Sequence, residues 1–312
     1  MSQLSAAVLG LVEYRDVNLL AVTDVHSWIA GGDRQGVPGS PPITHSLTAS
    51  FGDLVSLLER ARADARAVGR DVFLVDNGDV IDGTGLSNVA ADHCSDLLPL
   101  LREVPFDALN CGNHELYDSA TMERMSSSGY ISSWGGRYLT SNLLNATTSK
   151  PLGSRYTVMV GPTSGVRLLT FGFMYEMSES DGRCVAVGVN SINATVQSDW
   201  FVRALLTESP DAVVVLAHMD AFDAELVTIV AGIRAVLPTI PVQIIAGHSH
   251  ERQTRSIDGR AGVFEPGNFF NTVGQALPHS NGRAPLAASV RLMCDPCGRF
   301  RPTDDVCVCV CV

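Results

Sequence analysis

No cluster of lysine or arginine occurs in the 312 residues, which carry a net charge of −11 and a pI near 5.1. A protein that grips a phosphate backbone needs a basic stripe, so nucleic acid is excluded as a partner. Long apolar runs are missing too. Residues 4–12 form the one N-terminal candidate, and it gives way at once to Glu13, Arg15 and Asp16. That run is too short to span a bilayer and no basic segment precedes it. Neither a membrane span nor an export signal is expected, and the default compartment is cytoplasmic; a mis-called start codon is what could hide an export signal. Internal repeats are lacking. Two Asn-x-Thr sequons, at Asn145 and Asn193, read as chance occurrences. Nothing in the composition fixes an oligomeric state. What is there is globular: 46% apolar against 18% charged residues, ample material for one large or two small domains.

The chain is organised around residues 71–83. An apolar β-prone run at 72–75 reads as a buried strand and stops at the turn Asp76-Asn77-Gly78, after which come Asp79 and Asp82. Upstream, residues 18–23 are strand-like and are followed by Asp24-Val25-His26. A glycine- and proline-rich loop over 31–42 is placed to shape whatever lies there. Leu47, Phe51, Leu54, Leu58, Ala61 and Ala65 recur at helical spacing, up to Gly69. Strand, helix, strand implies a parallel pair joined by a crossover. Beyond it the pattern predicts helices over 92–102, 119–126, 196–206 and 223–236. Strands are expected over 106–110, 137–143, 167–174, 211–217, 242–246, 261–265 and 287–293. Residues 1–293 thus read as one α/β domain, two packed mixed sheets flanked by helices.

Cysteine divides the chain. Cys94, Cys111 and Cys184 are isolated and read as core residues. The other five crowd residues 294–312. Cys294, Cys297, Cys307 and Cys309 could be grouped as a zinc ribbon, but no partner segment supports the knuckle, so the tail is expected to be a low-complexity, disordered or truncated end.

Five polar segments follow five predicted strands: Asp24-Val-His26, Asp79-Val-Ile-Asp82, Asn113-His114-Glu115, His218, and His248-Ser-His250. Five of the eight histidines fall in them. Singly each is weak, since a lone histidine after a strand is more often structural than a ligand. Together, at strand carboxyl ends where α/β sheets form sites, they point to one centre. Asp24, His26, Asp79, Asn113, His218, His248 and His250 make a mixed nitrogen and oxygen donor set. It suits Mn²⁺, Zn²⁺, Fe or Co²⁺ better than Ca²⁺. Seven side chains exceed one tetrahedral site, whereas two cations sharing a carboxylate would use them all.

In these motifs the chain resembles the calcineurin-like metallophosphoesterase superfamily, whose pattern is D-x-H, GD-x-x-D, GNH-E, H and GH-x-H. The likeness covers residues 18–275. Gly-Asp-Val-Ile-Asp-Gly-Thr-Gly-Leu-Ser, Gly-Asn-His-Glu-Leu-Tyr and Arg-Tyr-Leu-Thr-Ser-Asn are similar to the 5′-nucleotidase-like branch. The resemblance implies a four-layer αββα sandwich, two divalent metal ions, and phosphoester hydrolysis by a hydroxide bridging them. The implied substrate is a small phosphoester, with a nucleotide among the candidates. It further implies that Asp24, His26 and His250 hold one metal, Asn113, His218 and His248 the other, and that Asp79 bridges. His114 would be the general acid, oriented by Asp82, with Glu115 structural. The protein phosphatases of the superfamily carry arginine after the second aspartate, where this chain has Gly83, so a protein substrate is disfavoured. Bacterial 5′-nucleotidases carry Asp three residues after the histidine. Here Asp118 lies four after His114, which leaves the orienting role to Asp82. 5′-Nucleotidases also have a second, base-binding domain, and this chain ends soon after its metal domain should. Two readings therefore stand beside a phosphomonoesterase: a phosphodiesterase, and a non-catalytic scaffold on the same fold.

Overall fold

The computed structural model describes residues 18–30, 49–83, 85–270, 272–276 and 291–292. Its strands are β1 (Leu19–Val22), β2 (Phe73–Asp76), β3 (Ala108–Leu109), β4 (Leu143–Asn145), β5 (Tyr156–Val160), β6 (Arg167–Met174) and β7 (Val187–Val189). They continue with β8 (Ala212–His218), β9 (Val242–Ile245), β10 (Arg252–Asp258), β11 (Ala261–Pro266), β12 (Gly274–Ala276) and β13 (Arg291–Leu292). The helices are α1 (Phe51–Ala67), α2 (Leu98–Leu101), α3 (His114–Tyr117), α4 (Ser119–Ser127), α5 (Tyr130–Ser133), α6 (Ile192–Val196), α7 (Asp199–Thr207) and α8 (Ala224–Val236). No helix among the described residues is long and apolar enough to cross a membrane. The N-terminal run 4–12, the loop 31–42 and the tail 294–312 lie outside them.

One sheet has the order β13-β12-β1-β2-β3, the other β10-β11-β9-β8-β6-β5, and β4 pairs with β7 in a small ribbon. Both large sheets are mixed. β1, β2 and β3 run parallel with β12 antiparallel. In the second sheet β11, β9, β8 and β6 run parallel, with β10 and β5 antiparallel at the edges. The parallel strands β1, β2, β8 and β9 are buried along their whole length, as a sheet covered on both faces requires.

Side chains alternate across each strand, so each sheet feeds two cores. Leu19, Ala21, Phe73 and Val75 meet Leu168, Val214, Leu216, Ile245 and Phe264 between the sheets. Leu20, Val22 and Leu74 turn to the other face, where α1 buries Leu54, Leu58, Ala61 and Ala65. On the far side Val213, Val215 and Ala217 pack under Phe201, Leu226, Ile229 and Ile233 of α7 and α8. The result is helix, sheet, sheet, helix.

Three expected elements differ. Over 92–102 the helix is confined to α2. Asp92 turns its carboxylate onto the N–H groups of Cys94 and Ser95 and closes a turn there, and Pro99 suits a helix's first turn. Over 196–206 the helix is α7, preceded by the separate α6, with Ser198 as N-cap. Over 137–142 the chain makes isolated bridges, and the expected strand begins only at Leu143, as β4. Leu139 N–H donates to Leu109 of the first sheet and Ser141 N–H to Gly172 of the second, so the segment joins the two sheets.

Candidate metal centre

Each polar segment leaves the carboxyl end of a parallel strand: Asp24 and His26 after β1, Asp79 and Asp82 after β2, Asn113 and His114 after β3. From the second sheet come His218, the last residue of β8, and His248 and His250 after β9. The two sheets are pinned here by amides. Asn77 Nδ2 donates to the carbonyl of Ala217 at 3.0 Å, and Asn110 Nδ2 to that of Phe173 at 2.9 Å and to Asn77 Oδ1 at 3.1 Å.

The loops are packed too closely for ordinary side chains at two glycines. A Cβ on Gly112 would stand 2.1 Å from Asp79 Oδ1, and one on Gly78 would stand 2.4 Å from Gly112 N. Glu115, fully buried, gathers the same loop: Oε2 accepts from Asp79 N–H at 2.9 Å and Gly112 N–H at 2.7 Å, and Oε1 from Val80 N–H at 2.9 Å. The backbone carries strain. Asp24, His26, Asp79, Asp82, His248 and His250 all have φ between 47° and 73°. Left-handed non-glycine residues cost about 1–3 kcal/mol each and persist where the surroundings over-determine them.

Two trios of donors result. His26 Nε2 lies 3.1 Å from His250 Nε2, and His250 Nε2 lies 3.4 Å from Asp24 Oδ1. His218 Nε2 is 3.1 Å from both Asp79 Oδ2 and Asn113 Oδ1, and His248 Nδ1 is 2.8 Å from Asn113 Oδ1. Asp79 Oδ2 also stands 3.8 Å from His26 Nε2, between the trios. Ligand-type atoms of Asp24, His26 and His250, and of Asp79, His218 and His248, all lie within 4.8 Å of one another in each set. His26, Asp79 and His114 form a further such set.

The chemistry of this donor set fits cations. His26 Nδ1 faces the carbonyls of Ile81 and Asp82 at 3.2 Å, and His218 Nδ1 faces that of Asn77 at 2.9 Å. Those carbonyls favour protons on the nitrogens that face them, so with a cation bound each Nε2 would turn a lone pair to the centre. Burial lowers the pKa of His26 and His248 and keeps them neutral, against the Asp79 charge. Burial acts the same way on His218, but the Asp79 and Asp24 carboxylates outweigh it and push it up to about 10. Burial likewise opposes ionisation of Asp79 and Asp24, and the His218 charge overcomes it and holds both low. Two buried carboxylates with no lysine or arginine beside them among the described residues require positive charge, which protons or metal ions can supply.

His114 stands at the edge. Its Nδ1 is 2.8 Å from Asp82 Oδ2, and its Nε2 is 4.0 Å from Asp79 Oδ2. Burial would lower its pKa, but the Asp82 bond and the Asp79 charge raise it; the same bond holds Asp82 down at about 2. Asp118 is occupied elsewhere, capping α4 through Ala120 N–H.

Four neighbours escaped the sequence reading. His93 Nδ1 lies 3.3 Å from the other oxygen of Asp82. Tyr175 lays its ring 4.8 Å from that of His248, and Phe269 stands 5.5 Å and 5.4 Å from His26 and His250. Tyr117 accepts a 2.7 Å bond from Asn113 Nδ2. Only Tyr117 carried a signal, the four-residue spacing that stacks side chains on one helical face.

The family profile described as calcineurin-like phosphoesterase matches residues 17–252. An uncharacterized protein of Schizosaccharomyces pombe is 30% identical over 267 residues, 84% of this chain and 42% of that protein. Among solved structures, 5′-nucleotidase from Candida albicans superposes with a TM-score of 0.80 at 24% identity, covering 90% of this chain and 52% of that one. Sulfate thiohydrolase SoxB of Thermus thermophilus superposes at 0.66 with 18% identity, covering 90% and 57%. These likenesses establish the fold. The chain spans less than half the length of the curated relatives it matches.

Proposed function

The chain belongs to the calcineurin-like phosphoesterase family, and from that premise we propose that it is a dinuclear-metal-dependent phosphomonoesterase of 5′-nucleotidase type. The observation that carries the proposal is the convergence of seven donor side chains from both sheets on two adjoining sets, with Asp79 between them. Asp24, His26 and His250 would hold one divalent cation, and Asn113, His218 and His248 the other, with Asp79 shared. The donor set suits Mn²⁺, Zn²⁺, Fe or Co²⁺. Bound there, such a pair supplies an activated water and polarises the phosphoryl group.

The chain's own residues do the rest. Asp82 fixes the His114 ring with Nδ1 toward itself, so Nε2 faces the centre and can deliver a proton to a leaving oxygen. The raised pKa of His114 keeps that proton available near neutrality. Gly83 presents no cationic side chain beside the site, in keeping with a small phosphoester. Likeness in fold to a 5′-nucleotidase puts nucleotides first on a substrate panel.

The test is hydrolysis of AMP, p-nitrophenyl phosphate, sugar phosphates and a bis-aryl diester by protein loaded with Mn²⁺ or Co²⁺. Monoester turnover is expected, reduced more than about 100-fold by chelation, Asp79→Asn or His248→Ala. His114→Ala is expected to cost about 10²–10⁴ in rate while keeping both metals. Turnover indifferent to metal would overturn the proposal; faster diester cleavage would replace its substrate class.

A further inference from the structure

We propose that Tyr117 is the positioning residue that orients the Asn113 amide, turning Oδ1 toward the second metal position and Nδ2 away from it. The inference rests on the metal-centre reading above and adds a residue to it.

An asparagine is an ambiguous ligand. Its amide has one end that can bind a cation and one that can only donate hydrogen bonds, and a half-turn exchanges them. Asn113 is 2% exposed, so water does not make the choice. Its Oδ1 lies 3.1 Å from His218 Nε2 and 2.8 Å from His248 Nδ1, where the donor atoms of that trio meet. Its Nδ2 points the opposite way and donates to Tyr117 Oη at 2.7 Å. His26 and His218 are oriented by main-chain carbonyls. Asn113 is oriented by a side chain, so its orientation is open to substitution.

Tyr117 is 38% exposed, but its ring is held by contacts on two sides. It lies one helical turn after Asn113, on the same face of α3. Its ring meets that of His114 edge-on at 4.9 Å and 74°. The turn at Gly182, φ +94°, closes on the ring so tightly that a Cβ there would stand 3.2 Å from Cδ1. Ring packing fixes the hydroxyl, and the hydroxyl fixes the amide. Without it Nδ2 would be buried unpaired, and the flipped amide would compete with the ligating one.

Tyr117→Phe separates these roles, because it keeps the ring contacts and removes only the acceptor. Metal-stripped wild type and variant are titrated with Mn²⁺ and Co²⁺ by calorimetry, and Co²⁺ absorption is followed in parallel. Wild type is expected to bind two ions. The variant is expected to bind one with unchanged affinity and the other about 10–100-fold more weakly, while the metal-free variant stays folded and melts within a few degrees of wild type, as the loss of one buried hydrogen bond allows. Two ions bound with wild-type affinities in Tyr117→Phe would overturn the role of Tyr117 and leave the metal centre standing. An equal loss at both sites would also overturn it, since that reports general damage. Wild type that binds no pair of ions would overturn both readings.

Discussion

At the scale of single residues, the centre shows how burial and charge assign roles to chemically similar groups. Asp82 and Glu265 are both carboxyls near the site. Asp82 faces His114 and is held down at about 2, so it stays ionised and orients the ring. Glu265, on β11, is fully buried. It accepts from Ser249 Oγ at 2.8 Å, in the loop between His248 and His250, and burial pushes it up to about 8. Its ordinary value is 4.5. Between those values the unfolded chain releases this proton and the folded chain keeps it, so rising pH favours unfolding. Glu265 is therefore expected to remove ~2–4 kcal/mol of stability between about pH 5 and pH 8. Glu265→Gln keeps an acceptor for Ser249 and cannot ionise. Urea unfolding of the two proteins should coincide near pH 5 and diverge toward pH 8, with the variant more stable. Parallel pH profiles would show that Glu265 ionises normally in the fold.

At the scale of elements, the loops after β2 and β3 are one unit, and Glu115 makes them so. Three residues into the Gly112-Asn-His-Glu115 motif, its carboxylate collects N–H groups from Asp79, Val80, Ile81 and Gly112. These place Asp79 between the donor trios. Glu115→Ala would leave several buried N–H groups unpaired. The expected loss is about 3–5 kcal/mol by chemical denaturation, together with weaker metal binding. A variant of unchanged stability would mean that packing of Gly78 against Gly112 holds the loop alone. The elements that departed from expectation did so for similar local reasons. Asp92 preferred a turn to a helix, and residues 137–142 shared their hydrogen bonds between two sheets.

At the scale of the whole molecule, the two sheets are held together by Leu, Val and Phe side chains through most of their depth and by polar groups at one end. That end gathers Asp24 and Asp79 from the first sheet and His218, His248 and His250 from the second. A bound cation pair would therefore tie the layers to one another. Mn²⁺ or Co²⁺ at a hundred times its Kd is expected to add about 2.7 kcal/mol, raising the melting temperature by a few degrees. A chelator should reverse the shift, and Asp79→Asn should abolish it. A melting curve indifferent to both would separate the centre from the stability of the sandwich.

The sequence by itself determined the parallel βαβ start, the strands within 167–174, 212–217 and 242–245, and which polar side chains follow strand ends. Apolar runs of strand length followed within a few residues by His, Asp or Asn are local signals that burial explains without coordinates. Short edge strands such as β5, β7 and β10 left no comparable trace, because half-exposed strands carry weaker apolar patterns. Only the tertiary structure decided which atoms face one another. That His26 meets His250 across 224 positions and that Asp79 lies between the trios depend on loop backbones forced into left-handed conformations. Such conformations are stabilised by contacts between distant segments, and no window of the sequence contains both partners.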